Sequence, residues 1–161
     1  MPYTNNGAIY TKVLGDILQL RVTETIREAE GGAYSPRASA NFFREPKSFV
    51  FISFRFDCNP DMADRLVNIV NTELRKLAND DLTDDDLNKI KTNLLKERQQ
   101  ATNSNAYDMQ LLMSLERYNE NLNDPKNFED VVNKMTKKDI QNIAKQVSEG
   151  GKSYRIVFKP S

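Results

Sequence analysis

The stretch FVFISFRF, residues 49–56, decides the fold class of this chain. Its even positions, continued by Cys58, are all apolar, whereas its odd positions change from phenylalanine to Ser53, Arg55 and Asp57. Alternation with a period of two is typical of a β-strand, because successive side chains point to opposite faces of a sheet. The sequence therefore predicts a strand that is buried on one face throughout and on the other face only at its beginning.

A long helix and a second strand are predicted ahead of this stretch. Apolar residues recur at helical spacing over residues 9–30, and Gly31-Gly32 then provides residues that commonly end a helix. Residues 33–43 are rich in small and aromatic side chains and predict a strand. Pro36 near its start indicates a strand end, a bulge or an edge, because proline cannot donate to a ladder. Residues 44–47 supply the turn between the two strands.

Helices are predicted for most of the remaining chain. Asn-Pro at residues 59–60 and the Thr-x-x-Asp pattern at 83–86 and 136–139 are typical helix starts. Met109 and Met113, four residues apart, indicate the core-facing side of another helix, and the apolar stretch 154–158 predicts a closing strand. Long runs of one element type, rather than regular alternation, favour an α+β fold with an antiparallel sheet packed against several helices.

Composition excludes several kinds of function for this chain of 161 residues. The 23 basic and 23 acidic residues balance, so no whole-chain field that would attract nucleic acid is expected. No run approaches the ~18 apolar residues that a membrane-spanning helix needs. There is no histidine, which excludes a Ser-His-Asp triad and a histidine-ligated zinc site within the chain. The single cysteine excludes an internal disulfide and a multi-thiolate metal site.

Two groups of residues have an ordinary structural interpretation. The aspartates between residues 80 and 86 could ligate calcium, yet those at 84–86 lie where acidic residues favour a helix N-terminus. The glycine of an EF-hand loop is also absent, so the structural interpretation is favoured. Cys58 continues the apolar alternation of a strand and is therefore interpreted as a packing residue rather than a nucleophile.

Arg27 and Tyr34 form the main candidate site, at the junction between the long helix and the first strand. A cation at a helix C-terminus is favoured by the helix dipole, which explains Arg27 without any function. Tyr34 is equally compatible with an ordinary half-buried aromatic residue of a strand. Residue types alone leave both interpretations open and favour the structural one.

The sequence around this junction resembles a known family. The segment LRVTETIREAEGGAYS, residues 20–35, is similar to the pattern L-x-x-x-L-R-E-x-x-G-x-x-Y-S of the pitrilysin/insulinase family of zinc metallopeptidases, the inverzincins. The resemblance extends over residues 9–159 and includes the strand 49–56 and the helix starts near residues 59, 83 and 136. It is a resemblance to the family's C-terminal, non-catalytic domain, especially in bacterial members similar to a periplasmic zinc protease.

The resemblance implies a role for the candidate site. In that family the catalytic domain carries H-x-x-E-H and a distal glutamate for zinc, which this histidine-free chain does not match. It implies no cofactor in this chain, and zinc in a homologous catalytic domain on the same polypeptide or on a partner subunit. It also implies that Arg27 and Tyr34 hydrogen-bond the substrate backbone near the scissile bond and help to stabilise its developing oxyanion. Guanidinium and phenol groups supply suitable donors.

The resemblance also sets expectations for the domain and its boundaries. The family domain begins with one or two strands before the long helix, so we expect an α+β domain of the processing-peptidase type that lacks its first strand or strands. Residues 1–8 are expected to be a disordered or cloning-derived start, and residues 9–161 a single C-terminal peptidase-family domain. A bacterial periplasm or cell envelope is the compartment implied, with the cytoplasm left open.

Two functions remain as alternatives. The first is a substrate-binding, chamber-forming domain of a zinc metalloendopeptidase, with a peptide substrate and a catalytic domain as partners and with neither nucleic-acid binding nor membrane insertion. By itself such a chain is expected to be inactive. The second is a structural or assembly subunit of the same fold with no protease role, since fold alone does not give function. The Arg27 and Tyr34 pair distinguishes them, because a purely structural subunit has no need of it.

Overall fold

The computed structural model describes residues 2–30, 34–120 and 127–158, but not the side chains of residues 27–30 and 34. Within these ranges the chain forms six α-helices and one two-stranded antiparallel sheet, which confirms the α+β class. A short 3-10 turn, Pro60–Met62, leads into the second helix. The elements, in chain order, are α1 (Asn5–Glu30), β1 (Tyr34–Phe43), β2 (Phe49–Asp57), α2 (Ala63–Ala78), α3 (Asp84–Ala101), α4 (Asn105–Tyr118), α5 (Phe128–Lys134) and α6 (Lys137–Gly150).

The chain divides into two compact units. One consists of residues 1–84 and 136–161 and contains α1, the hairpin β1–β2, α2 and α6. The other, residues 85–135, contains nearly all of α3 together with α4 and α5. The sequence boundaries of 1–8 and 9–161 are not tested by this division and stay a prediction. None of the helices in the described ranges is both long and apolar enough to cross a membrane.

Local signals in the sequence explain where several helices begin. The Thr4 hydroxyl accepts a hydrogen bond from the Gly7 N–H at 3.0 Å, and α1 consequently starts at Asn5, four residues earlier than the apolar periodicity predicted. The predicted capping box at the start of α6 is confirmed. The Thr136 hydroxyl accepts from the Asp139 N–H, and the Asp139 carboxylate accepts from the Thr136 N–H at 2.7 Å.

The core of the first unit is built around α1. Six of its apolar side chains have no exposed surface and recur at intervals of one to four residues, which places them on one side of the helix. They are Val13, Leu14, Ile17, Leu18, Val22 and Ile26. Residues of α2 and α6, including the fully buried Leu66 and Ile140, complete this core, so α1 is the element on which the rest of the unit is assembled.

The close approach of α1 to β1 depends on a glycine. A Cβ atom at Gly15 would lie 2.5 Å from the backbone nitrogen of Ala40, a distance that real Cβ atoms do not adopt. The atom that the added Cβ would meet belongs to the backbone of β1, so no flexible side chain can move away to make room. Gly15 therefore sets the distance between the helix and the strand that it supports.

We expect Gly15→Ala to lower the free energy of unfolding by about 1–3 kcal/mol, because overpacking here outweighs the ~1 kcal/mol that alanine gains over glycine in a helix. The matched control is Gly150→Ala in α6, where an added Cβ meets no atom within 4 Å. That variant should be neutral or slightly stabilising. Urea unfolding of both variants checks the prediction, and equal effects at the two positions would contradict it.

A buried ion-pair network ties α1 to α2. The Arg21 guanidinium, with 13% of its side chain exposed, donates to the Asp81 carboxylate at 2.8 Å and also to the Asp81 carbonyl. It lies 3.8 Å from the carboxylate of Glu73, whose side chain is only 6% exposed. Lys76 approaches the other oxygen of Glu73 at 2.8 Å. Breaking this network leaves a buried carboxylate with one partner fewer, which is costly.

The exposed face of the hairpin differs from the sequence prediction. Phe49 and Phe51, predicted to be buried, are 45% and 50% exposed, and Phe49 stacks on Phe43 with ring centroids 5.1 Å apart. The side chains on the other face of β2 point to the core and are half-buried: Val50, Ile52, Phe54 and Phe56. The prediction was wrong for Phe49 and Phe51 because apolar character does not show whether another element covers a face, and α1 packs against one face of this hairpin.

The predicted closing strand is also absent from the structure. Residues 152–158 have no strand conformation, and Tyr154, Ile156 and Phe158 are 86%, 76% and 93% exposed. The described contact of this segment is the pairing of Arg155 with the Asp64 carboxylate in α2. Alternating apolar residues favour a strand only where a ladder partner is available, and the pairing described for the sheet joins β1 and β2 to each other.

Helix α4 of the second unit is another correction. Met109 and Met113, predicted to lie in the core, are 60% and 59% exposed, and no described residue of α4 is buried. The helix itself is confirmed: it begins after Ser104, whose hydroxyl accepts from the Tyr107 N–H. Spacing of four residues correctly indicated one helix face, but it does not show what covers that face. The buried core of this unit lies instead on α3, on α5 and on the residue that follows α5, at Leu87, Ile90, Leu94, Val132 and Met135.

Candidate functional site

The structure places Arg27 and Tyr34 on either side of a three-residue connection. Helix α1 continues to Glu30, so Arg27 lies in its last turn, as predicted. Strand β1 begins at Tyr34, whose backbone pairs with Asp57 of β2. The connection, including the predicted helix-ending Gly31-Gly32, and both candidate side chains lie outside the described residues. The described part of the site consists of the backbone of residues 27 and 34 and the side chains that support it.

The end of α1 is anchored in the core immediately before Arg27. Val22 and Ile26 have no exposed surface and form a cluster with Leu66 and Val70 of α2. Partly buried residues of β2 and of the segment that follows pack against this cluster, including Cys58, which is half-buried beside it. The last turn of α1 is therefore held by two other elements, which restricts where residue 27 can lie.

A β-bulge separates Tyr34 from the regular part of β1. Tyr34 pairs with Asp57 and Arg37 pairs with Arg55, so three steps on β1 correspond to two on β2. Within the bulge Ser35 has φ of 49°, in the left-handed region that non-glycine residues rarely adopt. The extra residue keeps position 34 opposite Asp57, which lies two residues after Arg55 in β2 and therefore on the same face of the strand. Bulges commonly redirect a strand next to a functional site.

A side chain from α1 holds the strand at this bulge. The Gln19 amide donates to the Pro36 carbonyl at 3.0 Å and accepts from the Ala38 N–H at 2.7 Å. The same amide nitrogen lies 2.7 Å from the Thr23 hydroxyl, one turn further along α1. Sequence analysis did not identify Gln19, since a single amide in a helix has no distinctive pattern. The local signal that was available is Pro36, which indicated an interrupted ladder at this position.

Polar groups line the exposed face of the hairpin next to the bulge. Arg37 and Arg55 lie directly opposite each other and are both exposed. The next pair on this face is Ser39 and Ser53, whose hydroxyls are 3.0 Å apart. Like charges directly opposite each other are unfavourable in a sheet, so the pair of Arg37 and Arg55 adds nothing to stability. It does give this end of the face several hydrogen-bond donors for an approaching ligand.

The other polar clusters show structural contacts. Asp84 and Asp85, from the acidic segment, pair with Lys137 at 3.2 Å and with Lys89 at 2.6 Å, at the start of α3. No group of three potential metal ligands occurs among the described residues. Burial, together with the charge of Asp139, raises the pKa of the Tyr10 phenol, but Tyr10 lies about 25 Å along α1 from Arg27.

The second unit contains a cavity of about 760 Å³ beside the end of α3. The Arg98 guanidinium lies over the rings of Tyr107 and Phe128, at 4.4 and 4.7 Å from their centroids, and donates to the Tyr107 hydroxyl at 2.6 Å. This stack links α3 to α4 and α5, and its cation–π contacts and hydrogen bond give Arg98 a structural role.

The comparison with protein families decides what kind of domain this is. Residues 6–94, more than half of the chain, match the model described as the peptidase M16 inactive domain. The chain belongs to this family. The match confirms the resemblance seen at residues 20–35, and it makes the chain a non-catalytic, protease-associated domain. The matched range includes all of α1 except Asn5, together with the hairpin and α2, and thus the whole of the Arg27 and Tyr34 junction.

Solved structures of M16 proteins and related proteases have the same fold. The chain is similar to the periplasmic protease PqqL from Escherichia coli, with 20% identity and a TM-score of 0.74 over 91% of this chain and 16% of that one. It is similar to a protease from Helicobacter pylori, with 18% identity and a TM-score of 0.72 over 90% of this chain and 35% of that one. A peptidase M16 inactive domain from Pseudomonas fluorescens has 18% identity and a TM-score of 0.70, over 85% and 33% of the two chains.

Each of these similarities covers only part of the compared protein. This chain spans between about a sixth and about a third of the length of those proteins, and at such identities the likeness shows the fold alone. A comparison with curated proteins gave no match. The M16 inactive domain is therefore established for this chain by the family match.

Proposed function

We propose that this M16 inactive domain is the substrate-binding and chamber-forming part of a zinc-dependent metalloendopeptidase that degrades peptides. The catalytic zinc belongs to a homologous domain, on the same polypeptide or on a partner subunit. This chain does not fit a zinc site of that kind, because it has no histidine and its described residues contain no group of three potential ligands. Its contribution is to hold the peptide, not to activate water.

The observation that carries this proposal is the rigid support of the Arg27 and Tyr34 junction. Buried residues fix α1 up to Ile26, and the ladder with β2 together with Gln19 fixes β1 from Tyr34 onward. Donor side chains carried by two supported elements have little need to reorganise. Such donors in a water-excluded site contribute about 2.7–4 kcal/mol to stabilising an oxyanion, because they need not reorganise during the reaction.

The exposed face of the hairpin provides a surface along which a peptide can lie. One end of the face carries Phe43, Phe49 and Phe51, each 43–50% exposed. The other end carries Arg37 and Arg55, beside the position of Tyr34. Exposed apolar groups next to exposed donors are suited to an extended peptide, whose side chains and backbone need both kinds of contact. The surface therefore supports a substrate-facing role for the sheet.

The proposal is tested by reconstituting peptide cleavage from separate parts. Hydrolysis of a fluorogenic peptide is measured with the zinc-binding catalytic domain, with this chain, and with both together. We expect the chain alone to be inactive and to hold no stoichiometric zinc, and cleavage to require both parts. Hydrolysis by the chain alone would contradict the proposal. A catalytic domain that cleaves equally well without this chain would favour a structural or assembly subunit instead.

A further inference from the structure

The contact between Gln19 and β1 has the form of a strand pairing. Pro36 and Ala38 are two residues apart, so the Pro36 carbonyl and the Ala38 N–H face the same edge of β1. The Gln19 amide donates to the first and accepts from the second, at 3.0 and 2.7 Å. A neighbouring parallel strand would make the same two bonds around Arg37. One side chain thus takes the place of a strand over a single step of the ladder.

The bulge is the part of β1 that most needs such support. Pro36 has no N–H and is buried, and Ser35 adopts a left-handed conformation at φ 49°. The pairing with β2 is regular from Arg37 onward but shifts between Arg37 and Tyr34. Without the two bonds from Gln19, this short segment would be free to shift its register.

Gln19 also connects the two halves of the candidate site. It lies on α1, eight residues before Arg27, which is about 12 Å along the helix axis. Its amide is half-buried and is itself oriented by Thr23, whose hydroxyl bonds both the Gln19 amide nitrogen and the Gln19 backbone carbonyl at 2.7 Å. The helix that carries Arg27 therefore holds the strand segment that leads to Tyr34.

We propose that Gln19 is a positioning residue of the M16 substrate site: by fixing the bulge at Pro36 and Ala38, it sets the position of Tyr34 relative to α1. This inference rests on the proposed function, in which Tyr34 contacts the substrate. Gln19 acts through Tyr34 and touches no substrate itself. A displacement of about 1 Å at a reacting group costs up to about 100-fold in rate, so a loosened bulge has a measurable effect.

The first test is a double-mutant cycle in the intact peptidase. Gln19→Met removes both hydrogen bonds to β1 while keeping a side chain of similar length. We expect kcat to fall about 10- to 100-fold with KM within about twofold. In the Tyr34→Phe background the same substitution should have little further effect, because the hydroxyl that it positions is already absent. Full additivity of the two substitutions would contradict a role through Tyr34.

A matched control separates positioning from general stability. Thr11→Val removes another hydrogen bond of α1, the 2.7 Å bond from the buried Thr11 hydroxyl to the Gly7 carbonyl, and leaves Gln19 unchanged. We expect Thr11→Val to lower the melting temperature without changing kcat. If Gln19→Met proves unstable, Gln19→Glu serves in its place, since its carboxylate still accepts from Ala38 but no longer donates to Pro36. It should give an intermediate kcat.

A second measurement does not depend on the proposed function. Amide hydrogen exchange of the intact protein reports the Ala38 N–H directly, and we expect at least tenfold faster exchange in Gln19→Met but not in Thr11→Val. Unchanged Ala38 protection would overturn the inference. If Tyr34→Phe and Arg27→Ala both leave catalysis unchanged, the proposed function fails. If Tyr34→Phe is slow while Gln19→Met has wild-type kinetics, only the positioning role fails.

Discussion

Tyr34→Phe in the intact peptidase is expected to lower kcat/KM about 10- to 1000-fold, as the loss of a transition-state hydrogen-bond donor does. Arg27→Ala should have an effect of the same order. Zinc content should be unchanged in both variants, because the proposed zinc ligands all belong to the catalytic domain. Steady-state kinetics on a defined peptide, with metal analysis of the same preparations, measures both expectations.

The control for this experiment is the same chemical change elsewhere on α1. Tyr10→Phe also removes one phenol, from a residue about 25 Å along the helix from Arg27. It should leave kcat/KM within about twofold of the wild type. Wild-type kinetics in Tyr34→Phe and Arg27→Ala would remove both residues from the site and favour the structural-subunit alternative.

The second large effect is expected from Arg21→Met, which we predict to lower the free energy of unfolding by about 2–3 kcal/mol. Methionine retains the apolar stem of arginine, so the lost term is mainly electrostatic. The substitution removes the hydrogen bonds to Asp81 and leaves the Glu73 carboxylate, 6% exposed, with Lys76 as its described partner. Urea unfolding monitored by circular dichroism gives the difference directly.

Lys12→Met provides the matched comparison on the same helix. Lys12 pairs with Asp16 at 2.8 Å, a distance equal to that between Arg21 and Asp81, but the two side chains are 49% and 37% exposed. An exposed pair one helical turn apart contributes only about 0.3–0.5 kcal/mol. Equal losses of stability in Lys12→Met and Arg21→Met would show that burial of the Arg21 network has no energetic consequence.

The elements that follow from local chemistry could be predicted from the sequence. The period-two alternation at residues 49–56 gave strand β2, which ends one residue later than predicted. The Thr136 capping box forms because both hydrogen bonds lie within four consecutive residues. The helix start at residues 59–60 is correct in position, with Pro60 in the first turn, although Asn59 makes no side-chain cap bond. Local signals are sufficient where all partners are close in sequence.

The failed predictions share a physical cause. Met109, Met113, Phe49 and Phe51 were assigned to the core because of their apolar character and spacing, yet they are exposed. A strand at residues 154–158 was predicted from its pattern, yet these residues have no ladder partner among the described strands. Whether a face or an edge is covered depends on distant parts of a chain or on other chains, and a local pattern does not contain that information.

The candidate site was predictable only in part. The positions of Arg27 and Tyr34, in the last helical turn and at the first residue of the strand, followed from the sequence. Their interpretation as substrate contacts came from the resemblance to a family, since residue types alone favoured a structural role. Gln19 was not predictable, because its partners lie 17 and 19 residues away and depend on how α1 packs against β1.

The substrate contacts proposed for this domain are best measured in a crystal structure of the intact peptidase with an uncleaved peptide, trapped by replacing the catalytic glutamate of the partner domain. We expect the Tyr34 hydroxyl and the Arg27 guanidinium within about 2.7–3.2 Å of substrate backbone oxygens beside the scissile bond. A peptide bound in the active site without contact to either side chain would contradict this expectation.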